Sequence, residues 1–302
     1  MSEFWSYKNL NNVPAEFRLT LNEGNTPIRK LNFEGQQIMV KDENTNPNGS
    51  FKDRSLAYQV SYHVSKGVRK FVISSSGNAA VSAAAYCGLA GVELDIFVAN
   101  QVNEKKLEKI NVFLDSNIKL HRSNKPRSDA IKFARETGIK DLRGSVDDKA
   151  IVGYTTIAFE LAKQFPEIDS IFIPCSSGTS ALGVYQGFKK LKMKVKLFIC
   201  QTSKVHSIAS RFDKDFVKTS KSYADAIVDK IALRKKDVID AVKNSNGSGI
   251  IVNDALISYA KGVAEANGFF YSNNSLLGLA GLIKLNNKGI KLNKPVILAS
   301  GL

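Results

Sequence analysis

The stretch KFVISSSGNAAVSAAAYCGLAGVELDIFVA, residues 70–99, decides the fold class. It begins with a short apolar run that is typical of a buried strand, passes through the small polar residues of SSGN, and becomes an alanine-rich segment of helical character. The run LDIFVA at 94–99 then predicts the next strand. A strand, a helix and a strand in succession favour parallel pairing, because the helix brings the chain back to the end of the sheet at which the first strand began.

The same order of elements recurs in the second half of the chain. The segment TTIAFELAKQF at 155–165 has helical spacing, and SIFIP at 170–174 follows as a strand. Strands are also predicted for VKLFIC at 195–200 and PVILAS at 295–300, whereas 222–268 is typical mainly of helices. We therefore expect a doubly wound α/β protein with a smaller lobe inserted after the first motif described below.

Length and composition limit the classes of protein that the chain can be. With 302 residues, 43% of them hydrophobic, it can bury a core for one big domain or two closely packed ones. No stretch approaches the roughly 18 apolar residues of a membrane span, and no secretory leader is recognised, so we expect a cytoplasmic protein without a membrane partner. Three distant cysteines without a CxxC pair argue against a disulfide framework or a zinc site.

The net charge of +15 raises the question of a nucleic-acid partner. The lysines are scattered, and the one dense run, at 189–196, alternates with apolar residues as a half-exposed strand entry does. Few aromatic residues accompany that run. We therefore interpret the charge as a solvated surface and expect no nucleic-acid partner.

The most informative motif is NPNGSFKDRS at 46–55. A Pro-Asn-Gly turn precedes a predicted helix, with Ser50 as the expected N-cap and Asp53 completing a capping box. This places Lys52 at a helix N-terminus, where the positive potential favours the neutral amine and hence its attack on an aldehyde. For Lys52 alone, a capped helix with a surface lysine is the plainer alternative.

Two further motifs join a strand to a helix. In SSSGNAA at 74–80 the N–H groups of a helix start suit a carboxylate, and Ser75, Ser76 and Asn78 add donors. In PCSSGTSALG at 174–183 the small and hydroxyl residues suit a compact phosphomonoester, and the motif matches neither a P-loop nor a dinucleotide fingerprint. Either could alone be an ordinary strand-to-helix turn.

A fourth motif, ASG at 299–301, closes the last predicted strand. Ligands of open parallel sheets bind beyond the carboxyl ends of the strands, where the two preceding motifs also begin. Ser300 can therefore reach the same crevice, although alone it is merely a serine at a strand end.

In order and spacing, EGNTPI (23–28), NPNGSFKDR, SSGNAA, GYTTIAFEL (153–161), CSSGTSALG and ASG resemble the threonine synthase branch of the tryptophan-synthase-β-like, fold type II pyridoxal-phosphate enzymes. The resemblance covers nearly the whole chain. It implies two open, twisted, mostly parallel sheets wrapped by helices, with pyridoxal 5'-phosphate in the cleft between a large domain, 1–53 and 143–302, and a small substrate-binding domain, 54–142. It also implies a homodimer in amino-acid biosynthesis, without a metal.

The resemblance implies a role for each matching position. Lys52 would hold the cofactor as a Schiff base and serve as the catalytic base, Asn78 would bind the cofactor's ring oxygen, and Ser300 would face the pyridine nitrogen. The residues that would hold the cofactor phosphate are Ser176, Ser177, Gly178, Thr179 and Ser180. The residues that would contact the substrate are Ser75, Ser76, Gly77, Asn78, Ala79, Ser145 and Lys149.

The implied reaction is that of a lyase acting on a phospho- or hydroxy-amino acid, with conversion of O-phosphohomoserine to threonine as the first candidate. Family members that use this substrate carry Thr, Asn and Arg where this chain has Ala79, Gly144 and Ala150. Ser145, and Lys149 as a substitute cation, would remain to face the substrate phosphate.

Other functions stay open at this point. The acidic residue that is common near the YSNNS segment is absent, which also departs from the pattern. A serine/threonine dehydratase or a cysteine-synthase-like β-replacement enzyme is the first alternative. A non-catalytic ligand sensor on the same fold is the second, although a mere binder has no need of the Schiff-base lysine.

Overall fold

The computed structural model describes residues 3–102 and 104–301, without the side chains of Lys105 and Lys106. Within these residues the strands are β1 (Ile28–Phe33), β2 (Gln36–Asp42), β3 (Lys70–Ser74), β4 (Glu93–Ala99), β5 (Ile118–Ser123), β6 (Lys140–Asp141), β7 (Ser170–Pro174), β8 (Lys196–Thr202), β9 (Ser248–Val252) and β10 (Pro295–Ala299). The α-helices are α1 (Lys52–Ser65), α2 (Asn78–Leu89), α3 (Glu104–Asn111), α4 (Pro126–Thr137), α5 (Lys149–Gln164), α6 (Thr179–Lys190), α7 (Lys235–Asn244), α8 (Asp254–Ala266) and α9 (Leu277–Asn287).

The chain divides into two compact units. Unit 1 comprises Met1–Gly24 and Asn46–Gly153, and unit 2 comprises Asn25–Thr45 and Tyr154–Leu302. The small domain expected at 54–142 thus lies inside unit 1, and unit 1 also takes in residues that the sequence assigned to the large domain. The division of cofactor and substrate binding between two domains stays a prediction.

The N-terminal segment belongs to unit 1 because its apolar side chains are buried there. Phe4, Trp5, Leu10 and Val13 are part of the core of this unit. The indole N–H of Trp5 donates a hydrogen bond of 2.8 Å to the carbonyl oxygen of Leu19, which satisfies the polar atom of a buried aromatic side chain.

Unit 1 is built on a four-stranded sheet in the order β5-β4-β3-β6, and all three neighbouring pairs are parallel. Residues 70–99 form β3, α2 and β4, so the parallel pairing expected from this stretch is confirmed. β4 buries every second residue, with Leu94, Ile96 and Val98 in the core of the unit.

Unit 2 contains a six-stranded sheet in the order β1-β2-β10-β7-β8-β9. β1 and β2 form an antiparallel hairpin, and the other neighbouring pairs are parallel. β7 and β10 lie in the middle of the sheet and bury every residue, as parallel strands covered on both faces do. The α/β class with two mostly parallel sheets is thereby confirmed.

The expectation that 222–268 is mainly helical is wrong in part. Residues 222–234 form neither helix nor strand, and β9 lies between α7 and α8, where it pairs in parallel with β8. The run SGIIV is too short for its period to distinguish a strand from a buried helical turn, so the pairing with β8 decides its conformation.

Three further features concern membrane insertion, the cysteines and metal binding. No helix in residues 3–102 and 104–301 is long and apolar enough to cross a membrane. Cys87, Cys175 and Cys200 are buried free thiols, as expected. Across the described part of the chain, His, Cys, Asp and Glu side chains form no group of three or more that could hold a metal ion.

Candidate functional site

Lys52 is the first residue of α1, and polar side chains hold the turn before it. Asp53 accepts hydrogen bonds from the backbone N–H of Asn48 at 2.7 Å and from its side-chain amide at 2.8 Å. The Ser50 hydroxyl accepts one from the N–H of Lys52 at 3.3 Å. The helix therefore begins one residue later than an N-cap at Ser50 predicts, but Ser50 and Asp53 both stabilise its start.

The side chain of Lys52 is half-buried, and its Nζ atom lies 4.8 Å from the centroid of the Phe51 ring. Nearly all of the helix that follows is buried in unit 1. The amine is thus presented at one end of a helix that packing holds in place, and precise placement of this kind is what a covalent catalytic group requires.

A glycine of the GYTTIAFEL motif allows α5 to approach α1. A Cβ atom at Gly153 would lie 2.1 Å from the carbonyl oxygen of Arg54, two residues after Lys52. Since no real Cβ atom comes that close to a backbone oxygen, only glycine fits this contact. The motif therefore contributes to the placement of the helix that carries Lys52.

The loop between β3 and α2 contains the predicted carboxylate site. Ser75 and Ser76 are half-buried, Gly77 is exposed, and Asn78 is the first residue of α2. The Gly77 N–H donates to the Ser75 hydroxyl at 3.3 Å, and the Gly77 carbonyl accepts from the N–H of Ala80 at 2.9 Å. This helix start is reachable from solvent and carries hydroxyl groups, as a carboxylate-binding loop requires.

The segment that contains Ser145 is tied to α1 by buried side chains. Gln59 donates to the carbonyl oxygen of Leu142 at 3.0 Å and to the Asp147 carboxylate at 2.9 Å, and His63 Nε2 contacts the same carboxylate oxygen at 2.9 Å. Burial alone would raise the pKa of Asp147, but the hydrogen bonds from His63 and Gln59 outweigh it and hold this pKa below its usual 3.8.

Lys149 lies in contact with an aromatic ring of α1. Its Nζ atom is 4.1 Å from the centroid of the Tyr62 ring. Tyr62 is ten residues beyond Lys52, which corresponds to about 15 Å along the helix axis. Ala150, where the resemblance leads one to expect arginine, is fully buried. The role of Lys149 toward a substrate phosphate remains a prediction.

The EGNTPI motif contains a buried acid. Glu23 is only 2% exposed, and its Oε2 atom accepts hydrogen bonds from the Tyr86 hydroxyl at 2.7 Å and the Leu21 N–H at 2.9 Å. Within the described residues its Oε1 atom is buried without a hydrogen-bond partner. Burial raises the pKa of Glu23 above its usual 4.5, although the hydrogen bonds from Tyr86 and Leu21 oppose this shift.

The following residues of the same motif are held by a buried ion pair in unit 2. Lys41 donates to Glu160 at 2.8 Å and to the carbonyl oxygen of Thr26 at 2.6 Å, and both charged side chains are almost fully buried. Glu160 also accepts from the N–H of Asn25 at 2.8 Å. This network explains why glutamate appears in GYTTIAFEL: it fixes the backbone at Asn25 and Thr26.

The predicted phosphate loop runs from Ser176 to the start of α6 in unit 2. Gly178 has φ +89°, the left-handed region that favours glycine, and a Cβ atom there would lie 2.3 Å from Val238 of α7. The Ser177 and Thr179 hydroxyls are 3.0 Å apart, and Ser180 is buried in the first turn of the helix. Hydroxyls therefore cluster at a helix N-terminus, as the sequence predicts.

Ser300 directly follows β10 and is 7% exposed. The next residue, Gly301, is held by two serines: its carbonyl accepts from Ser272 at 2.6 Å and Ser275 at 2.7 Å, and its N–H donates to Ser275 at 3.0 Å. Sequence reasoning noted only an absent acid in YSNNS and missed this support for the strand end. The available signal was the run of small polar residues before a helix.

The predicted site residues fall into two sets. Lys52, the loop Ser75–Ala79, Ser145 and Lys149 belong to unit 1, whereas Ser176–Ser180 and Ser300 belong to unit 2. Apart from Ser145, which lies in a turn before α5, the residues of each set stand at helix starts or strand ends, where side chains and backbone donors can meet a ligand.

Comparison with known proteins adds the family. The family described as "PALP: Pyridoxal-phosphate dependent enzyme" matches residues 19–301. A threonine synthase of Methanosarcina acetivorans is 27% identical over 95% of this chain and 75% of that protein. An L-threonine ammonia-lyase of Thermotoga maritima is 26% identical over 88% of this chain and 67% of that protein.

A solved structure shows the same fold. Maize serine racemase superposes with a TM-score of 0.81 at 22% identity, covering 97% of this chain and 92% of that one. The protein belongs to the family of pyridoxal-phosphate dependent enzymes, and its cofactor is pyridoxal 5'-phosphate.

The residues described above fit that cofactor chemically. An aldehyde needs an amine, which Lys52 supplies, and a phosphomonoester needs clustered hydroxyl and N–H donors, which Ser177, Thr179 and Ser180 supply at the start of α6.

Proposed function

We propose that this protein is a lyase of the threonine synthase type, with Lys52 as the residue to which the cofactor is covalently linked. The observation that carries the proposal is the position of Lys52, a half-buried amine at the first residue of a buried helix. An amine that packing holds in one place has the geometry that attack on an aldehyde requires. When bound, the cofactor withdraws electrons from the Cα atom of an attached amino acid and stabilises the carbanion.

The loop at the start of α2 is proposed to bind the substrate carboxylate. Ser75, Ser76, Gly77 and Asn78 offer hydroxyl, amide and N–H donors, and Ala79 lines the same helix start. Asn78 is proposed in addition to bind the cofactor's ring oxygen. Such a loop orients the amino acid so that its Cα proton is presented to one base.

The loop in unit 2 is proposed to bind the cofactor phosphate through Ser176, Ser177, Gly178, Thr179 and Ser180. Ser300 is proposed to donate a hydrogen bond to the pyridine nitrogen. A hydroxyl donor leaves this nitrogen neutral, whereas a carboxylate would favour its protonated form and strengthen electron withdrawal. A neutral ring nitrogen suits elimination and replacement better than transamination.

Lys52 is also proposed as the base. When it is not linked to the cofactor, its Nζ atom would take the Cα proton of the substrate and return a proton later in the reaction. The proposed net reaction is loss of a leaving group from Cβ or Cγ of the amino acid and addition of water or another nucleophile. In this scheme Lys52 serves as both the anchor and the proton carrier, so its removal abolishes turnover.

The first candidate substrate is O-phosphohomoserine, which would be converted to threonine. Ser145 and Lys149 are the residues proposed to remain near its phosphate, with Lys149 contributing little because its amino group lies over the Tyr62 ring. The departures at Ala79, Gly144 and Ala150 remove a hydroxyl, an amide and a guanidinium from the family pattern, and together they favour weak activity on this substrate.

A dehydratase or a β-replacement enzyme is the second candidate. The same departures favour it, because an uncharged leaving group needs no phosphate-binding cations. The similarity to an L-threonine ammonia-lyase over 88% of this chain also supports this reading. A non-catalytic sensor is the third candidate, and the presence of Lys52 argues against it.

The deciding experiment uses the purified protein with pyridoxal 5'-phosphate. Borohydride reduction followed by peptide mapping is expected to find the cofactor attached to Lys52, and Lys52→Ala is expected to lose the adduct and the turnover. Lys66→Ala, just beyond the end of the same helix, is the matched control and should keep both. A wild-type protein that forms no reducible adduct at Lys52 would refute the proposal.

The substrate class is tested in the same preparation. O-phosphohomoserine, serine, threonine and O-acetylserine are offered in parallel, and release of phosphate, ammonia and keto acid is measured. Turnover of none of them by a protein that carries the Lys52 adduct would favour the sensor. We also propose that the protein is cytoplasmic and forms a homodimer. Light scattering of the holoprotein tests the dimer by its mass.

A further inference from the structure

The hydroxyl of Ser176, the first residue of the proposed phosphate loop, is hydrogen-bonded to the carboxylate of Asp229. The Ser176 Oγ atom donates a hydrogen bond of 2.8 Å to Oδ2 of Asp229. The same Oγ atom accepts hydrogen bonds from the N–H groups of Val228 at 3.1 Å and Asp229 at 3.2 Å. A hydroxyl has one proton and two acceptor lone pairs, so these two residues use its full capacity.

Asp229 is itself held firmly in unit 2. Its carbonyl oxygen accepts a hydrogen bond of 2.9 Å from the Ser207 hydroxyl. Nearby, the Ala226 N–H donates to the side chain of Asn274 at 2.9 Å. The irregular stretch at 222–234 is thus attached both to the phosphate loop and to residues beyond it. The contact with Ser176 belongs to this attachment and is no isolated surface contact.

The charge of Asp229 reaches the loop. Burial, and next the negative charge of Asp229, raise the pKa of Cys175, the residue before Ser176, to about 12. Ser176, which this carboxylate contacts, is the direct neighbour of Ser177, one of the proposed phosphate donors. Two like charges at close range repel each other unless solvent screens them.

We propose that Asp229 is a specificity-determining residue of this loop. Its carboxylate takes the Ser176 hydroxyl from the set of phosphate donors and adds a negative charge next to the loop, so the loop binds a phosphomonoester less tightly than its other donors allow. This inference rests on the proposed assignment of the loop to the cofactor phosphate. It also replaces the role proposed above for the Ser176 hydroxyl. This hydroxyl positions residues 228–229 and does not bind the ligand.

The test compares pyridoxal 5'-phosphate with pyridoxal, which lacks the phosphate. Dissociation constants of both are measured for the wild type, Asp229→Asn, Asp229→Ser and Asp225→Asn, with thermal unfolding of each cofactor-free protein as a check on folding. Asp225 lies in the same irregular stretch, 3.1 Å from the side-chain amide of Asn274, so Asp225→Asn is the matched control for the loss of one negative charge.

Both Asp229 variants are expected to bind pyridoxal 5'-phosphate about tenfold more tightly, which corresponds to about 1.4 kcal/mol, with unchanged affinity for pyridoxal. Asp225→Asn should change neither affinity by more than about twofold, because charges at the exposed surface are screened. Affinity for the phosphate form that is unchanged or weaker in folded Asp229→Asn and Asp229→Ser would overturn the inference.

Ser176→Ala provides an independent arm. A positioning role predicts a lower unfolding temperature of the cofactor-free protein and an unchanged ratio of the two affinities, whereas a tenfold fall in that ratio would make Ser176 a ligand and overturn the inference. Failure of the underlying assignment would look different: the wild type itself would then bind pyridoxal as tightly as its phosphate ester.

Discussion

The ammonium group of Lys149 lies 4.1 Å from the centroid of the Tyr62 ring. A cation over an aromatic face is attracted by about 0.5–1 kcal/mol at an exposed site. The amino group of Lys149 thus lies beside the last turn of α1, whereas Lys52 is at the opposite end of the helix. We therefore expect Lys149 to contribute little to binding a substrate phosphate.

The first prediction concerns that lysine. We expect kcat/KM for O-phosphohomoserine to be low in the wild type and to change by less than about tenfold in Lys149→Ala, since losing a direct charge-assisted contact costs about 1.5–3 kcal/mol. Serine, threonine and O-acetylserine are measured alongside. Lys66→Ala is the control, because Lys66 Nζ lies 5.7 Å from the same ring.

Two results would contradict this expectation. A selective loss of phosphate release in Lys149→Ala would assign the substitute-cation role to Lys149. Efficient phosphate release that survives the substitution would instead show that other residues bind the substrate phosphate, and that the departures at Ala79, Gly144 and Ala150 matter less than we infer.

The second prediction concerns Gly178. Gly178→Ala is expected to destabilise the protein by more than the roughly 1–2 kcal/mol of left-handed strain, because its Cβ atom would also overlap Val238. Gly289→Ala is the matched control, since Gly289 has φ +76° with nothing within 4 Å of its Cβ position. The free energy of unfolding in urea measures both variants, and equal losses would show that Val238 yields without cost.

The same glycine permits a binding test. Gly178→Asp adds a carboxylate to the proposed phosphate loop and is expected to weaken binding of pyridoxal 5'-phosphate markedly. Because this variant also carries the steric cost at Val238, its affinity is compared with that of Gly178→Ala, which has the same overlap without the charge. Equal cofactor affinity in Gly178→Asp and wild type would place the phosphate elsewhere.

The third prediction concerns Asp147. Asp147→Ala leaves Gln59 and His63 without their buried acceptor and is expected to cost about 1–3 kcal/mol of stability at neutral pH. The pKa of Asp147 is lowered in the folded protein, so its contribution is fully present above the ordinary value of 3.8 and is lost as the pH falls through the folded-state pKa.

The contribution of Asp147 to the difference between wild type and Asp147→Ala should therefore shrink on acidification below about pH 4. Chemical unfolding at a series of pH values measures it. Asp148→Ala, at the exposed neighbouring position, is the control and should cost less. A difference that grows as the pH falls below about 4 would mean that Asp147 is not the acceptor of this network.

The fourth prediction concerns Glu23, whose effect on stability has the opposite pH dependence. Burial raises the pKa of Glu23, so the folded protein binds its proton more tightly than the unfolded chain, and stability is lost as the pH rises from 4.5 through the raised pKa. Glu23→Gln cannot ionise and lacks this loss. We expect wild type to lose stability relative to Glu23→Gln across that window, measured by urea unfolding.

A suitable control is Glu16→Gln, at an exposed position outside the buried cluster. Its stability relative to wild type should not fall or rise steeply over the same pH range. A constant difference between Glu23→Gln and wild type over this range would instead mean that the pKa of Glu23 is the same in the folded and the unfolded protein, so that burial does not raise it.

Much of the fold could be predicted because its apolar runs are short and clearly bounded. KFVIS and SIFIP coincide with β3 and β7, and the parallel pairing of β3 with β4 follows from the helix between them. β9 and the irregular stretch at 222–234 could not be predicted, because local pattern does not distinguish a four- or five-residue strand from a helical turn. Only the pairing with β8 decides that β9 is a strand.

For the site, the sequence by itself determined which chemical groups stand at helix starts and strand ends: the amine of Lys52, the donors at Ser75–Asn78, and the hydroxyls at Ser176–Ser180. Turn residues and capping preferences are local, so they can be recognised without coordinates. The family that these motifs resemble was recognised in the same way and is confirmed by the match to residues 19–301.

Only the tertiary structure decided which partners these groups have. Asp229 is 53 residues from Ser176, and Ser275 is 26 residues from Gly301, yet each pair is hydrogen-bonded. Such contacts depend on how distant segments pack, and one sequence carries no local pattern for them. The same is true of Lys149, whose amino group contacts Tyr62 because α1 and the start of α5 meet in the core of unit 1.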